Sequence, residues 1–110
     1  CPNGAILEDR MIDTRRCISC RTIEPMAEGD NIDLDGWIFG CDACQSVCPY
    51  NQRAKFHRNP NFDPIINPLA LDAEAWLSMT EEEFSSLAAS TPMTRAGLER
   101  IRGNVERENV

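Results

Sequence analysis

The segment Cys41-x2-Cys44-x3-Cys48-Pro49 limits what this chain can become more than any other feature does. Such a run is an improbable accident in a reduced compartment, and it asks for a partner that several thiols share. Six cysteines in 110 residues would read as a disulfide framework in a secreted chain. No charged-then-apolar signal segment accompanies them, and there is no long hydrophobic run. The expected compartment is therefore the cytoplasm, where thiols stay reduced and bind metal. Two Trp and four Phe supply few large anchors, so the core should be modest and should need help from whatever the thiols hold. No stretch approaches bilayer-spanning length and no lipidation signature appears, which predicts no membrane partner.

Two metals compete for the thiols. Cys17-x2-Cys20, followed after an intervening stretch by Cys41-x2-Cys44, has the spacing of a tetrathiolate zinc site, in which two turns each offer two ligands to a tetrahedral ion. Zinc leaves Cys1 and Cys48 unused. An iron–sulfur reading employs them. In bacterial ferredoxins the run C-x2-C-x2-C-x3-C-P wraps three thiolates around one cubane, and the fourth cysteine, before the proline, crosses to another cluster. Both Cys1-Pro2 and Cys48-Pro49 look like such fourth cysteines. Counting back from Cys48 gives Cys44 and Cys41, but the next expected position is Ile38, so one ligand must come from elsewhere. Cys17 is the natural donor. This assigns Cys1, Cys17, Cys41 and Cys44 to one [4Fe–4S] cluster and leaves Cys48 for a second, whose remaining cysteines would lie upstream. The opening at Cys1-Pro2, in what reads as the middle of a motif, predicts a piece of a longer protein.

Turn and capping signals order the remainder. Ala5, Ile6 and Leu7, a charged turn at Glu8, Asp9 and Arg10, then Met11 and Ile12 predict a short β-hairpin. Asp13 is expected to cap a helix that carries Cys17 and stops before Pro25. An acidic loop should follow over residues 24–36. Gly36 and Gly40 bracket an apolar run that delivers the chain to Cys41, and a short helix should carry Cys44 and end near Cys48. Pro60, Pro64 and Pro68 predict an extended connector. Beyond it Asp72, the capping box Thr80 and Glu83, and Thr91-Pro92 mark three helix starts, with Leu98, Ile101 and Val105 on one core-facing stripe. Gly103 should weaken the last helix by about 1 kcal/mol relative to Ala. The fold expected is α+β and mostly helical: a ferredoxin-like cluster-binding segment over residues 1–51, a connector over 52–71 and a helical tail over 72–110.

The formal charge of −7 argues against non-specific nucleic-acid binding by the chain as a whole. Charge is unevenly spread. Glu24, Glu28, Asp30, Asp33 and Asp35 fall in a stretch without Lys or Arg, whereas Arg53, Lys55 and Arg58 gather beside His57. Solvated surface explains either run most simply.

The residues DTRRCIS, then TIE, then GWIFGCDACQSVCPYN resemble the double-cluster part of the epoxyqueuosine reductases, from Cys1 to Asn51, and TPMTRAGLERIRGN resembles the same family more loosely. The resemblance implies an oxidoreductase of tRNA modification that reduces the epoxide of epoxyqueuosine at the wobble position to queuosine. It implies two [4Fe–4S] clusters relaying electrons from an external donor to cobalamin held by an N-terminal domain of the same protein, without which this segment would not be active. It places Cys1, Cys17, Cys41 and Cys44 on one cluster and Cys48 on the other, in agreement with the spacing. It also implies that Ser19, Cys41 and Asp42 approach cobalamin. Cys20 stands where the family usually has an aromatic residue, and Tyr50 replaces the commoner Trp. The basic residues 53–58 would suit tRNA phosphates. Two other readings stay open: an electron-transfer domain of another corrinoid oxidoreductase resembling reductive dehalogenases, and a zinc-stabilised interaction module built on Cys17, Cys20, Cys41 and Cys44.

Overall fold

The computed structural model describes residues 1–25 and 31–108, so the part of the expected acidic loop that contains Glu28 and Asp30, and the last two residues of the tail, lie outside the described residues. The described chain is mostly helical: α1 (Ile18–Ile23), α2 (Ala43–Ser46), α3 (Ala73–Ser78), α4 (Glu81–Ala88) and α5 (Met93–Glu108).

The expected β-hairpin is not formed, and no ferredoxin-like sheet occurs among the described residues. The two arms meet through one antiparallel bridge, Ile6 to Ile12, supported by Leu7 N–H to Met11 O at 3.0 Å and Asp13 N–H to Ala5 O at 2.8 Å. The intervening Glu8–Arg10 is a single 3-10 turn in which Asp9 and Arg10 both take positive φ. Ile6, Met11 and Ile12 are each more than half exposed, so the arms have no second layer to pack on, and an isolated two-stranded ribbon is marginal in water.

Asp13 does not cap α1 either. Its carboxylate accepts from the Arg15 backbone N–H and guanidinium, which closes the turn before the helix and holds its carboxyl below the usual range. Cys17 takes the N-cap position of α1, in extended conformation and without a side-chain cap bond, and the helix ends at Ile23, ahead of Pro25. The short helix carrying Cys44 is present as α2. Residues 59–71 are largely exposed and are punctuated by 3-10 turns at Pro60–Phe62 and Pro68–Ala70.

The later helices begin where capping chemistry expects them to. The Asp72 side chain accepts from Ala75 N–H at 2.8 Å. Thr80 and Glu83 form a reciprocal capping box, with Thr80 Oγ1 accepting from Glu83 N–H at 3.2 Å and Glu83 Oε2 from Thr80 N–H at 2.7 Å. Those bonds hold the Glu83 carboxyl below its ordinary value of 4.5. Its stabilising contribution is therefore complete above that value and is lost as pH falls through the lower folded one. Met79 and Phe84, the staple pair, are both buried. The core gathers these residues with Trp76, Ala88, Met93, Leu98, Ile101 and Val105, so the stripe read on α5 does face the interior. Helix α5 breaks at Gly97, whose φ of 76° suits glycine, whereas Gly103 remains helical.

Helix α5 also packs on α1, which ties the end of the chain to its cysteine-bearing start. Arg95 pairs with Glu24 at 2.6 Å, Arg107 donates to Ile32 O at 2.7 Å, and Glu108 accepts from Gly36 N–H at 2.7 Å. Ile38 and Phe39, just ahead of Cys41, pack against the helical core.

Candidate metal centre

None of the six cysteines is in a disulfide: Cys1 is exposed, and Cys17, Cys20, Cys41, Cys44 and Cys48 are half-buried. Gly4 N–H bonds to Cys1 O at 3.3 Å, and the Cys1 sulfur accepts from Ala5 N–H at 3.3 Å, a contact of the sort that stabilises a thiolate. Cys17 stands at the start of α1, with Ser19 and Cys20 inside it. Cys41 follows Gly40, whose φ of 70° favours glycine, and Cys44 lies in α2.

Asp42 is the exposed N-cap of α2, and its carbonyl, not its carboxylate, accepts from Gln45 and Ser46. The turn after α2 is clipped at both ends. Cys48 O accepts from Asn51 N–H at 3.0 Å, and the Asn51 amide reaches back to Gln45 O at 3.1 Å and Oε1 at 2.8 Å. Cys48 is itself tied to α2 through its N–H to Gln45 O at 3.2 Å, and it remains half-buried.

The donor set suits a thiolate-bound cluster: sulfurs outside any disulfide, one of them accepting a backbone amide, mounted on turns and helix starts. The structure brings Cys17 and Cys20 close enough to influence each other. Burial first, then Cys17 and then Glu24, push the Cys20 thiol above its ordinary value of 9.0, which makes it a reluctant thiolate. Among the described residues no group of three or more His, Cys, Asp or Glu side chains is placed to hold a metal ion, so the fit rests on donor chemistry and not on convergence.

Two polar residues important to this region escaped the sequence reading. Thr22 and Asn104 are buried, and both bond to the segments that carry the thiols. The available signal was an asparagine adjoining the apolar stripe of Leu98, Ile101 and Val105, where a buried amide has to find partners.

The chain's likeness to known proteins agrees with the donor chemistry. A family model described as a 4Fe-4S double cluster binding domain matches residues 1–51. Epoxyqueuosine reductases are similar along nearly the whole chain. That of Cyclobacterium marinum is 38% identical over 109 residues, covering 96% of this chain and 34% of the relative. That of Synechococcus sp. is 39% identical over 113 residues, covering 100% and 33%. That of Synechocystis sp. is 37% identical, covering 96% and 38%. The chain thus spans about a third of the length of these curated relatives. No solved structure matches it.

Proposed function

We propose that this chain, which spans about a third of the length of the epoxyqueuosine reductases it is similar to, is the electron-delivering part of such an enzyme. The observation that carries the reading is that the double-cluster match over residues 1–51 coincides with five accessible thiols whose spacing calls for a crossed pair of clusters. Cys1, Cys17, Cys41 and Cys44 hold one [4Fe–4S] cluster, and Cys48 belongs to a second cluster completed by cysteines elsewhere in the protein. When bound, the clusters supply single electrons at low potential, and cobalamin, held by the remainder of the enzyme, accepts them. Ser19, Cys41 and Asp42 lie on the cobalamin side. The overall change consumes two electrons and two protons, converting the epoxide of epoxyqueuosine in tRNA to the alkene of queuosine and releasing water. The chain's own part is ligation, burial and orientation. Reduced thiols of this sort suit the cytoplasm, and no described helix is long and apolar enough to cross a membrane.

Counting iron, acid-labile sulfide and zinc per chain after anaerobic reconstitution tests the reading. Four irons and four sulfides are expected, by the stoichiometry of one cubane, unchanged in Cys20→Ser and lost in Cys1→Ser. One zinc that survives Cys1→Ser and is lost with Cys20→Ser would replace the cluster with a structural zinc site.

Residues 53–58 are the tRNA-facing part in this proposal. Every side chain there is exposed, and no acidic residue lies between Asp42 and Asp63 in a chain of net charge −7. Reversing Lys55 and Arg58 to Glu is expected to weaken tRNA binding irrespective of sequence and to reduce the slope of log affinity against log salt by about 1–2. Unchanged affinity and slope, measured by filter binding, would remove this segment from the interface.

A further inference from the structure

The two cysteine-bearing segments, Cys17 with Cys20 and Cys41 with Cys44, are far apart in sequence, yet one buried polar assembly holds them in register. Thr22 is 0% exposed and lies two residues beyond Cys20, on the same short helix. Its hydroxyl hydrogen is directed at Ile18 O and Ser19 O, at 3.0 and 3.1 Å, and its oxygen accepts from Gly40 N–H at 2.9 Å. Gly40 is the residue immediately before Cys41. Asn104, 5% exposed on α5, completes the assembly: its amide nitrogen donates to Thr22 O at 3.1 Å and to Ile38 O at 2.9 Å. Both amide hydrogens are thus used, one on each segment.

We infer that Thr22 and Asn104 are positioning residues that fix the separation of the Cys17 and Cys41 segments, so that the C-terminal helix serves as the template for the cluster's ligand set. The inference rests on the cluster reading above. Its physical basis is the directionality of hydrogen bonds. An apolar contact between α1 and the 38–40 stretch would tolerate sliding, whereas an N–H aimed at one hydroxyl and an amide shared between two carbonyls permit one register. Cluster ligation needs that register, because the assigned thiolates come from several segments and must meet one rigid cubane. The pair also has a stabilising role, since losing either side chain leaves the Gly40 N–H or the Ile38 carbonyl without that partner, and the readouts that separate the two roles are those of the cluster itself.

The test compares the reconstituted full chain with Thr22→Val, Thr22→Ser and Asn104→Ala. It reads the rate at which a chelator bleaches the cluster, the electron paramagnetic resonance spectrum of the reduced cluster, and the thermal midpoint. Ile101→Val serves as a core control on the same helix. Thr22→Val and Asn104→Ala are expected to release the cluster roughly 10-fold faster or more, the range found for partners that orient metal ligands, and to shift the resonance spectrum. Thr22→Ser, which keeps the hydroxyl, should restore parental behaviour, and Ile101→Val should lower the thermal midpoint without touching the cluster. If Thr22→Val and Asn104→Ala lower the thermal midpoint but leave release rate and spectrum parental, or if Ile101→Val alters the cluster as much as they do, the positioning role is overturned. If either variant fails to fold, the other and the serine rescue decide by the same criteria. A parent that takes up neither iron nor sulfide overturns the cluster reading itself, and this inference with it, whereas a loaded parent with indifferent variants removes only the inference.

Discussion

Trp76→Ala should destabilise this protein by about 3–5 kcal/mol, the range for truncating a large buried aromatic. Trp76 is 1% exposed and lies among Met79, Phe84, Met93, Leu98, Ile101 and Val105. A pocket of about 170 Å³, partly open to solvent and lined by Trp37, Phe39, Leu69 and Met93 among others, lies beside it. Domains of this size are stable by only about 5–15 kcal/mol, so the variant should be largely unfolded at modest denaturant. Urea unfolding followed by circular dichroism measures the loss, with Leu69→Ala, at a side chain 92% exposed, as the comparison that should barely move. A Trp76→Ala midpoint equal to that of Leu69→Ala would mean that the helical core is not what holds the chain together.

Cys44→Ser and Cys48→Ser should have opposite outcomes although the two thiols are close neighbours. In the crossed arrangement proposed above, Cys44 would ligate the cluster that this chain can complete with Cys1, Cys17 and Cys41, while Cys48 would belong to the other. Cys44→Ser is therefore expected to abolish uptake of iron and sulfide, and Cys48→Ser to leave it at the parental level, because a serine hydroxyl is a poor substitute for a soft thiolate. The same iron and sulfide count checks both. Retention by Cys44→Ser together with loss in Cys48→Ser would exchange the two assignments and break the analogy with the ferredoxin run.

What was legible before the structure came from short-range chemistry. The capping box at Thr80 and Glu83, the Asp72 cap and the staple of Met79 and Phe84 each concern residues a few positions apart, and each formed as expected. The cysteine spacing is equally local, because a helical turn or a C-x2-C loop sets the distance between sulfurs without reference to the rest of the fold. The proline after Cys48 and the glycine before Cys41 act through their own backbone restrictions.

The misreadings have more than one cause, and the larger ones turned on partners or layers distant in sequence. Ile6, Leu7, Met11 and Ile12 have the alternation of a hairpin, but strands need a layer to bury against and the fold supplies none, so only one bridge forms. Asp13 had two local options, a helix cap or an Arg15 clasp, and the guanidinium prevailed because it offers two charge-assisted bonds. Gly97 and Gly103 are indistinguishable as letters, yet only Gly97 breaks α5. The buried assembly of Thr22, Gly40 and Asn104 joins residues up to 82 positions apart. Local sequence thus specified the starts of the later helices, since bonds between near neighbours need no long loop to close. The mutual placement of the cysteine-bearing segments was left to packing against α5, because bringing remote groups together costs chain entropy that only the assembled core repays.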